Sequence, residues 1–365
     1  MHTEITRPVG RFVSLYAGAG GLDLGFIQAG FTPTWVNELD PIALATHEQA
    51  VINHFSESGG VLDGMCSYSG SLLDIPDGLM PKRGSADLVI GGPPCQGFSV
   101  AGKMNPADER SKHVFHFLDV VERVRPAAFV MENVKALYEN QRWSGIRNTL
   151  LERADSMGYQ TTLTLLNASD FGVPQARERM FFIGVFDGAN KPVQPTPTTL
   201  GTPVTVRDAL SVLPKYGTPG NTSKCTARIT AAKAPVMRKS PYAGMLFNGA
   251  GRPLNLERPS ITLPASMGGN KTPIIDQMAL ENFSVKPWVV DYHARLSEHG
   301  GSAVASDIPD YLRRLTVEEA AVLQSFPVGM NFCGPQSAKF KQIGNAVPPK
   351  LAFAVAQAVK LALCA

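Results

Sequence analysis

Ala86-Asp87-Leu88-Val89-Ile90-Gly91-Gly92-Pro93-Pro94-Cys95-Gln96-Gly97-Phe98-Ser99 is the stretch whose reading decides the fold. It opens with an apolar run of strand length. Two glycines then let the backbone pass where a side chain would block it, and two prolines fix its dihedral angles ahead of a thiol. The sequence therefore predicts a buried strand with Cys95 held rigidly at its carboxyl end. Ligands of open α/β sheets bind at such ends. The competing reading is a structural thiol, because free cysteines are among the most buried residues.

Upstream, Arg11 to Tyr16 reads as a strand. It runs into Ala17-Gly18-Ala19-Gly20-Gly21 and then an apolar helical pattern, Leu22, Leu24, Phe26 and Ile27. Strand, glycine turn and helix open a nucleotide-type βαβ unit, with glycines permitting close backbone approach to a cofactor. The dinucleotide fingerprint is not met, because Asp23 stands where its third glycine belongs. Thr34 to Asn37 reads as the second strand, with Glu38 at its end. A carboxylate there can accept from both ribose hydroxyls, or serve as an N-terminal acid for the following helix. Together with the glycine turn, ribose binding is the favoured reading.

Downstream, Val100 to Lys112 is rich in small, polar and charged residues and reads as a loop able to close over the thiol. Val114 to Val124 has helical apolar spacing, and Ala127 to Met131 is a further buried strand ending in Glu132-Asn133-Val134. Desolvation at the end of so apolar a strand favours the neutral acid, which makes Glu132 a candidate acid/base partner for Cys95. Thr161 to Leu166 and Met180 to Val185 read as strands flanking Gln175-Ala176-Arg177-Glu178-Arg179. On a strand Arg177 and Arg179 share a face, and two guanidiniums can grip a carbonyl, phosphate or carboxylate.

Beyond Asp187 the character changes. Lys191 to Val204 carries four prolines and reads as a semi-rigid linker. From Ala209 to Leu256 there is no acid, but there are Lys215, Lys224, Arg228, Lys233, Arg238, Lys239 and Arg252. A window of one sign suits a polyanion, although a solvated basic loop has the same composition. Thr316 and Glu319 form a capping-box pattern, and Pro348-Pro349 opens a final helix to Leu363. The five cysteines show no metal spacing and fit a reducing compartment, and no apolar run has membrane-spanning length.

These motifs, in this order, resemble those of the DNA (cytosine-5)-methyltransferases of prokaryotic restriction-modification systems. The resemblance runs from about Arg11 to Leu363 and is carried jointly by Pro-Cys-Gln at 94–96, Glu-Asn-Val at 132–134, Gln-x-Arg-x-Arg at 175–179 and Gly-Asn-x-Val at 344–347. It implies an α/β fold: a doubly wound, mostly parallel sheet of the S-adenosylmethionine-dependent methyltransferase type, with a smaller irregular target-recognition domain. Residues 1–190 and 328–365 would form the catalytic part and 191–327 the recognition part. The implied nucleophile is Cys95, with Glu132 as the acid at ring nitrogen 3 and Arg179 with Arg177 on the base carbonyl.

The resemblance also implies S-adenosylmethionine as cofactor, leaving as S-adenosylhomocysteine, with no metal. Its expected contacts are Tyr16, Ala17, Gly18, Ala19, Gly20, Gly21, Glu38, Leu39, Pro94 and Asn345. The family's Gly-Asp-Ile falls on Gly70 to Ile75, where Ser71 follows the glycine and Asp74-Ile75 comes three residues later; either Ser71 or Asp74 can serve the adenine. Ser99, Lys103, Arg110, Gln175, Thr262 and Leu263 are the implied DNA contacts. His113 departs from the family, which has an apolar residue there. The implied setting is a monomer on double-stranded DNA, in the cytoplasm at the nucleoid, with no membrane and a cognate restriction endonuclease acting separately. Three rivals are weighed. An amino-methyltransferase needs no nucleophile and typically has an aromatic residue where Cys95 stands. An RNA cytosine-5 methyltransferase would carry a Cys-Phe-Thr that is absent. An inactive DNA-binding relative would not retain Cys95, Glu132 and Arg179.

Overall fold

The structure, a computed structural model, describes residues 9–60, 62, 64–94, 109–187, 194–302 and 308–364, the side chains of 109 and 110 excepted. The elements run β1 (Gly10–Leu15), α1 (Gly21–Gln28), β2 (Phe31–Glu38), α2 (Pro41–Glu57), β3 (Cys66–Ser69), β4 (Leu88–Gly91), α3 (His113–Val124), β5 (Ala128–Val134), α4 (Lys135–Glu139), α5 (Ser144–Ser156), β6 (Tyr159–Asn167), β7 (Gln175–Ala176) and β8 (Glu178–Phe186). They continue through α6 (Val206–Leu210), β9 (Ala231–Val236), β10 (Met245–Phe247), β11 (Ser260–Ile261), β12 (Ile274–Asp276), α7 (Gln277–Glu281), α8 (Trp288–Glu298), β13 (Leu312–Arg314), α9 (Val317–Leu323), α10 (Gln336–Asn345) and α11 (Pro349–Cys364).

The chain forms two compact units. The first holds 1–171, 177–198 and 346–365; the second holds 172–176 and 199–345. The second unit thus runs on to Asn345, past the expected boundary at 327. The reason is a close backbone approach: a Cβ on Gly344 would lie 2.6 Å from the backbone of Pro264 and Ala265, which draws α10 into that unit.

The first unit is built on a seven-stranded sheet in the order β3-β2-β1-β4-β5-β8-β6. Strands β3 to β5 pair in parallel, and β8 is antiparallel to β5 and β6. The central strands are buried on both faces, which is why they read as unbroken apolar runs rather than alternating ones. Phe129 is the hub of the core, meeting Phe117, Tyr159 and Phe182 edge-on. Gly184 makes room for that ring, since a Cβ there would sit 2.1 Å from it. The reversal in strand order beside β1 puts the carboxyl ends of β1 and β4 next to each other, the position where open sheets bind ligands.

Helix α11 packs on α1 through Gly25, where a Cβ would lie 2.4 Å from the Ala352 methyl and 2.5 Å from the Phe353 amide nitrogen. The apolar helical stretch from 336 to 364 is interrupted at 346–348, and half of its apolar window is buried.

The second unit has little regular structure. Its two-stranded sheets are β9–β10, β11–β7 and β12–β13. A small core gathers Leu246, Phe247, Ile274, Val289, Tyr292 and Leu296, with Trp288 stacked on Tyr292. The capping box predicted at α9 is present, and its Glu319 also takes a two-pronged ion pair from buried Arg313 at 2.7 and 2.6 Å.

Candidate active site

Three of the residues singled out from sequence, Glu132, Arg177 and Arg179, lie near the carboxyl end of β4, where Gly92 passes the Glu132 carboxylate. Gly91 is the last residue of β4, and its small size is a packing requirement: a Cβ would lie 2.5 Å from the Leu15 carbonyl oxygen. Gly92 passes the Glu132 carboxylate, whose Oε2 would be 3.1 Å from any Cβ placed there. Asn133 is buried and donates from Nδ2 to the Pro93 carbonyl at 3.3 Å, while its Oδ1 accepts the Val134 amide. The backbone leading to the thiol is therefore tied to the strand that carries Glu132. Pro94 is the last described residue before the thiol; Cys95, Ser99 and Lys103 lie outside the described residues, as does the side chain of Arg110.

Register explains the partner of Glu132. Val134 faces Arg179 across the β5–β8 ladder, so Glu132 and Arg179 are diagonal neighbours on one face. A long arginine spans that diagonal, and its Nε meets Glu132 Oε1 at 2.9 Å with the two side chains only 15% and 12% exposed. Burial pushes the Glu132 carboxyl above the ordinary carboxylate range, and the charges of Arg179 and Arg177 pull it only part of the way back. Arg177 itself is not on a strand. It lies in the break between β7 and β8, nearly fully buried, so the shared strand face expected for the two arginines is replaced by a shared acid.

A second locus lies at the ends of β1, β2 and β3. The turn from Tyr16 to Gly20 takes left-handed dihedrals at Tyr16, Gly18 and Gly20. Gly18 donates its amide to Glu38 Oε2 at 2.8 Å, and Asp40 donates to Oε1 at 2.9 Å. Each oxygen keeps a lone pair for a further donor. The space above Gly18 is open, with no atom within 4 Å of a Cβ built there, and Leu39 beside Glu38 is 68% exposed. An open glycine backbone, a part-engaged carboxylate and an exposed apolar face are what a nucleoside with a ribose requires, so the residues fit S-adenosylmethionine.

The other expected contacts are placed unevenly. Ala17 and Ala19 sit within the turn, Ala19 with its methyl buried, and Gly21 starts α1. The Tyr16 phenol turns to His113 instead of open space, with its oxygen 3.1 Å from Nδ1 and the rings edge to face. Burial raises the pKa of that phenol, and burial also lowers the pKa of His113, which His116 lowers further. Asp74 is exposed on a single 3-10 turn capped by Ser71, and Ile75 packs against the core. Asn345 is exposed at the end of α10 in the second unit.

Two of the residues expected at DNA, Gln175 and Leu263, are buried. Gln175 is fully buried, with its amide nitrogen bonded to Gln324 Oε1 and its oxygen accepting the Leu263 amide at 3.0 Å. Leu263 is fully buried as well. Both side chains pack inside the second unit. Thr262 is exposed and lines a surface cavity of about 310 Å³ with Arg252, Ile261, Pro264 and Lys271, a lining with two cations and no acid.

Sequence reasoning named Asn133 and Asn37 but gave neither a role of its own. Asn37 is buried and donates to the Tyr68 and Gly70 carbonyls at 3.1 and 3.0 Å, fixing the loop that leaves β3. The signal that could have found both is an amide at the end of an otherwise apolar strand. Among the described residues, no group of three or more His, Cys, Asp or Glu is placed to hold a metal ion.

Residues 10–361 match the family model described as C-5 cytosine-specific DNA methylase. The chain belongs to that family. It is therefore a DNA cytosine-5-methyltransferase, and its substrate is DNA. Among curated relatives, the Type II methyltransferase M.XorII of Xanthomonas oryzae is 32% identical, the alignment covering 98% of this chain and 86% of the relative. The Type II methyltransferase M.NgoPII of Neisseria gonorrhoeae is 30% identical over 97% of this chain and 96% of its own. Among solved structures, a Spodoptera frugiperda DNMT2 mutant superposes with a TM-score of 0.65 at 16% identity, covering 97% of this chain and 99% of that one. That likeness is one of fold, and it agrees with the mixed seven-stranded sheet of this methyltransferase.

Proposed function

We propose that the enzyme methylates carbon 5 of one cytosine in a specific double-stranded DNA sequence through a transient bond between the Cys95 sulfur and carbon 6. The observation that supports this most is Glu132: a carboxyl pushed up by burial, held by Arg179, and tied through Asn133 to the backbone that runs into Cys95.

Carbon 5 of cytosine is too weak a nucleophile to be methylated unaided. Addition of the Cys95 thiolate to carbon 6 breaks the ring conjugation and moves an electron pair toward carbon 5. Glu132, in its protonated form, donates to ring nitrogen 3 and accommodates the charge that develops there. Arg179 and Arg177 orient the acid and the base carbonyl. With a methyl donor bound, carbon 5 would take the methyl as the donor's sulfonium S–CH3 bond breaks and S-adenosylhomocysteine is left; loss of the carbon 5 proton then restores the double bond and expels the thiolate. Glu38, Leu39 and the Gly18–Gly20 turn hold S-adenosylmethionine, which when bound supplies an electrophilic methyl group.

The target base lies inside a duplex and must be flipped out, at a cost of a few kcal/mol. The second unit offsets that cost by binding the flanking DNA. Its acid-free window and the cavity between Arg252, Thr262 and Lys271 support this assignment, with Arg252 on a base edge and Lys271 on phosphate. We read the enzyme as the modification partner of a restriction endonuclease, acting as a monomer on DNA in the cytoplasm. The names of its curated relatives support that role.

The test is DNA carrying 5-fluorocytosine. With fluorine on carbon 5 the last step is blocked, so a denaturation-resistant protein–DNA adduct is expected with the wild type and none with Cys95→Ala. Absence of the adduct from the wild type, or its survival in Cys95→Ala, overturns the mechanism.

A further inference from the structure

Three buried polar side chains lie beneath the glycine turn and take no part in the scheme above. They are Ser14 in β1, Asp23 in the first turn of α1 and His47 in α2, all fully buried. Ser14 Oγ donates to Asp23 Oδ1 at 2.9 Å, and His47 Nε2 lies 2.7 Å from Asp23 Oδ2. A carboxylate only accepts, so Nε2 carries the proton of that bond. The imidazole edge packs directly under Gly20: a Cβ on Gly20 would be 2.8 Å from His47 Cδ2.

A fold does not need such a group for strength. Replacing both partners of a buried hydrogen bond by apolar groups of the same shape can be nearly neutral or stabilising. Here, moreover, His47 Nδ1 is buried without a hydrogen-bond partner among the described residues. What the network supplies is direction. Ser14 orients Asp23, Asp23 fixes the plane of the imidazole, and the imidazole sets the height of Gly20. Gly20 in turn donates to the Ala17 carbonyl, Ala17 donates to Asn37, and Gly18 donates to Glu38. The three side chains come from the three elements that converge on this turn.

We propose that Ser14, Asp23 and His47 are positioning residues for the cofactor, holding the glycine turn and the Glu38 carboxylate at the separation that the nucleoside requires. This rests on the cofactor reading above. It also gives a physical role to the acid that breaks the dinucleotide fingerprint.

The experiment measures two quantities that a purely structural role would not separate: thermal stability, and the affinity of the full-length protein for S-adenosylhomocysteine by calorimetry. The double variant Asp23→Leu/His47→Phe removes the polarity with apolar side chains no smaller than those replaced. Its melting temperature should match or exceed that of the wild type, while its dissociation constant for S-adenosylhomocysteine rises about tenfold, as expected when a supporting contact is lost. Unchanged affinity in that variant overturns the proposal. Should the double variant fail to fold, Ser14→Ala decides, since it deletes a single oxygen. Weaker binding and faster amide exchange at 17–20 support the proposal, and wild-type values for both overturn it. A wild type that does not bind S-adenosylhomocysteine would instead remove the cofactor reading.

Discussion

Replacing Arg179 by alanine isolates the pair at the centre of the site. Glu132 and Arg179 are 12% and 15% exposed, so water screens them little. Removing one member of a buried pair costs about 3–5 kcal/mol, against about 0–1 kcal/mol for a surface pair. Arg177 still acts on Glu132, which places the expectation near the lower figure. For a folding unit of this size, about 3 kcal/mol corresponds to a fall in melting temperature of roughly 6–12 °C.

The effect also has a sign in pH. The folded-state pKa of Glu132 lies above its unfolded value, so its contribution to stability is fully present below the unfolded pKa and is lost as pH rises through the folded one. Without Arg179 that pKa rises further, and the penalty for ionising the buried acid grows. Thermal melts of wild type and Arg179→Ala at pH 5.5 and pH 8 should therefore differ more at pH 8. The alkaline limb of the methylation rate should move to higher pH in the variant. Equal differences at the two pH values, or a loss under about 1 kcal/mol, would refute the claim that burial governs this pair.

Cys95→Ala should abolish methyl transfer while calorimetry shows S-adenosylhomocysteine binding unchanged; loss of both together would make the thiol structural. Gly25→Ala should lower stability by ~1–3 kcal/mol in a denaturant titration, although alanine is the better helix former, because the added methyl meets the Ala352 methyl and a backbone nitrogen that cannot yield. Arg252→Ala should cost about 1–3 kcal/mol of discrimination at one base pair of the methylated site, read by bisulfite sequencing. Lys271→Ala should weaken DNA binding uniformly and lower the salt slope by about 1 in binding titrations. Unaltered sequence preference in the first, or an unaltered slope in the second, would remove that residue from the interface.

What the sequence made legible was whatever depends on local composition. The apolar runs of β1, β4 and β5 and the glycine turn follow from residues near one another in the chain, whereas Glu132, expected just past the end of its strand, lies within β5 and pairs with Phe181. Direction was not legible. Gln175 has the right identity for a DNA contact, yet its amide is spent on Gln324 and Leu263, partners far away in sequence. Arg177 was read on a strand because its neighbours are strand formers, and the break between β7 and β8 has no local signal. The end of the second unit was misplaced for a similar reason: Gly344 meets the backbone of 264–265, and nothing within α10 announces that contact. Asp23 registered only as a mismatch to a motif, since Ser14 and His47 lie on other elements.

The seating of α11 against Gly25 has a consequence for how the chain matures. The ribosome delivers α1 long before α11, so the groove that receives Ala352 stays unfilled until α11 emerges. A contact of such sequence separation carries a large loop-closure cost and forms late. Until it forms, the nascent polypeptide displays a greasy seam to which holdase chaperones can bind, and emergence of α11 becomes the event that completes the first unit.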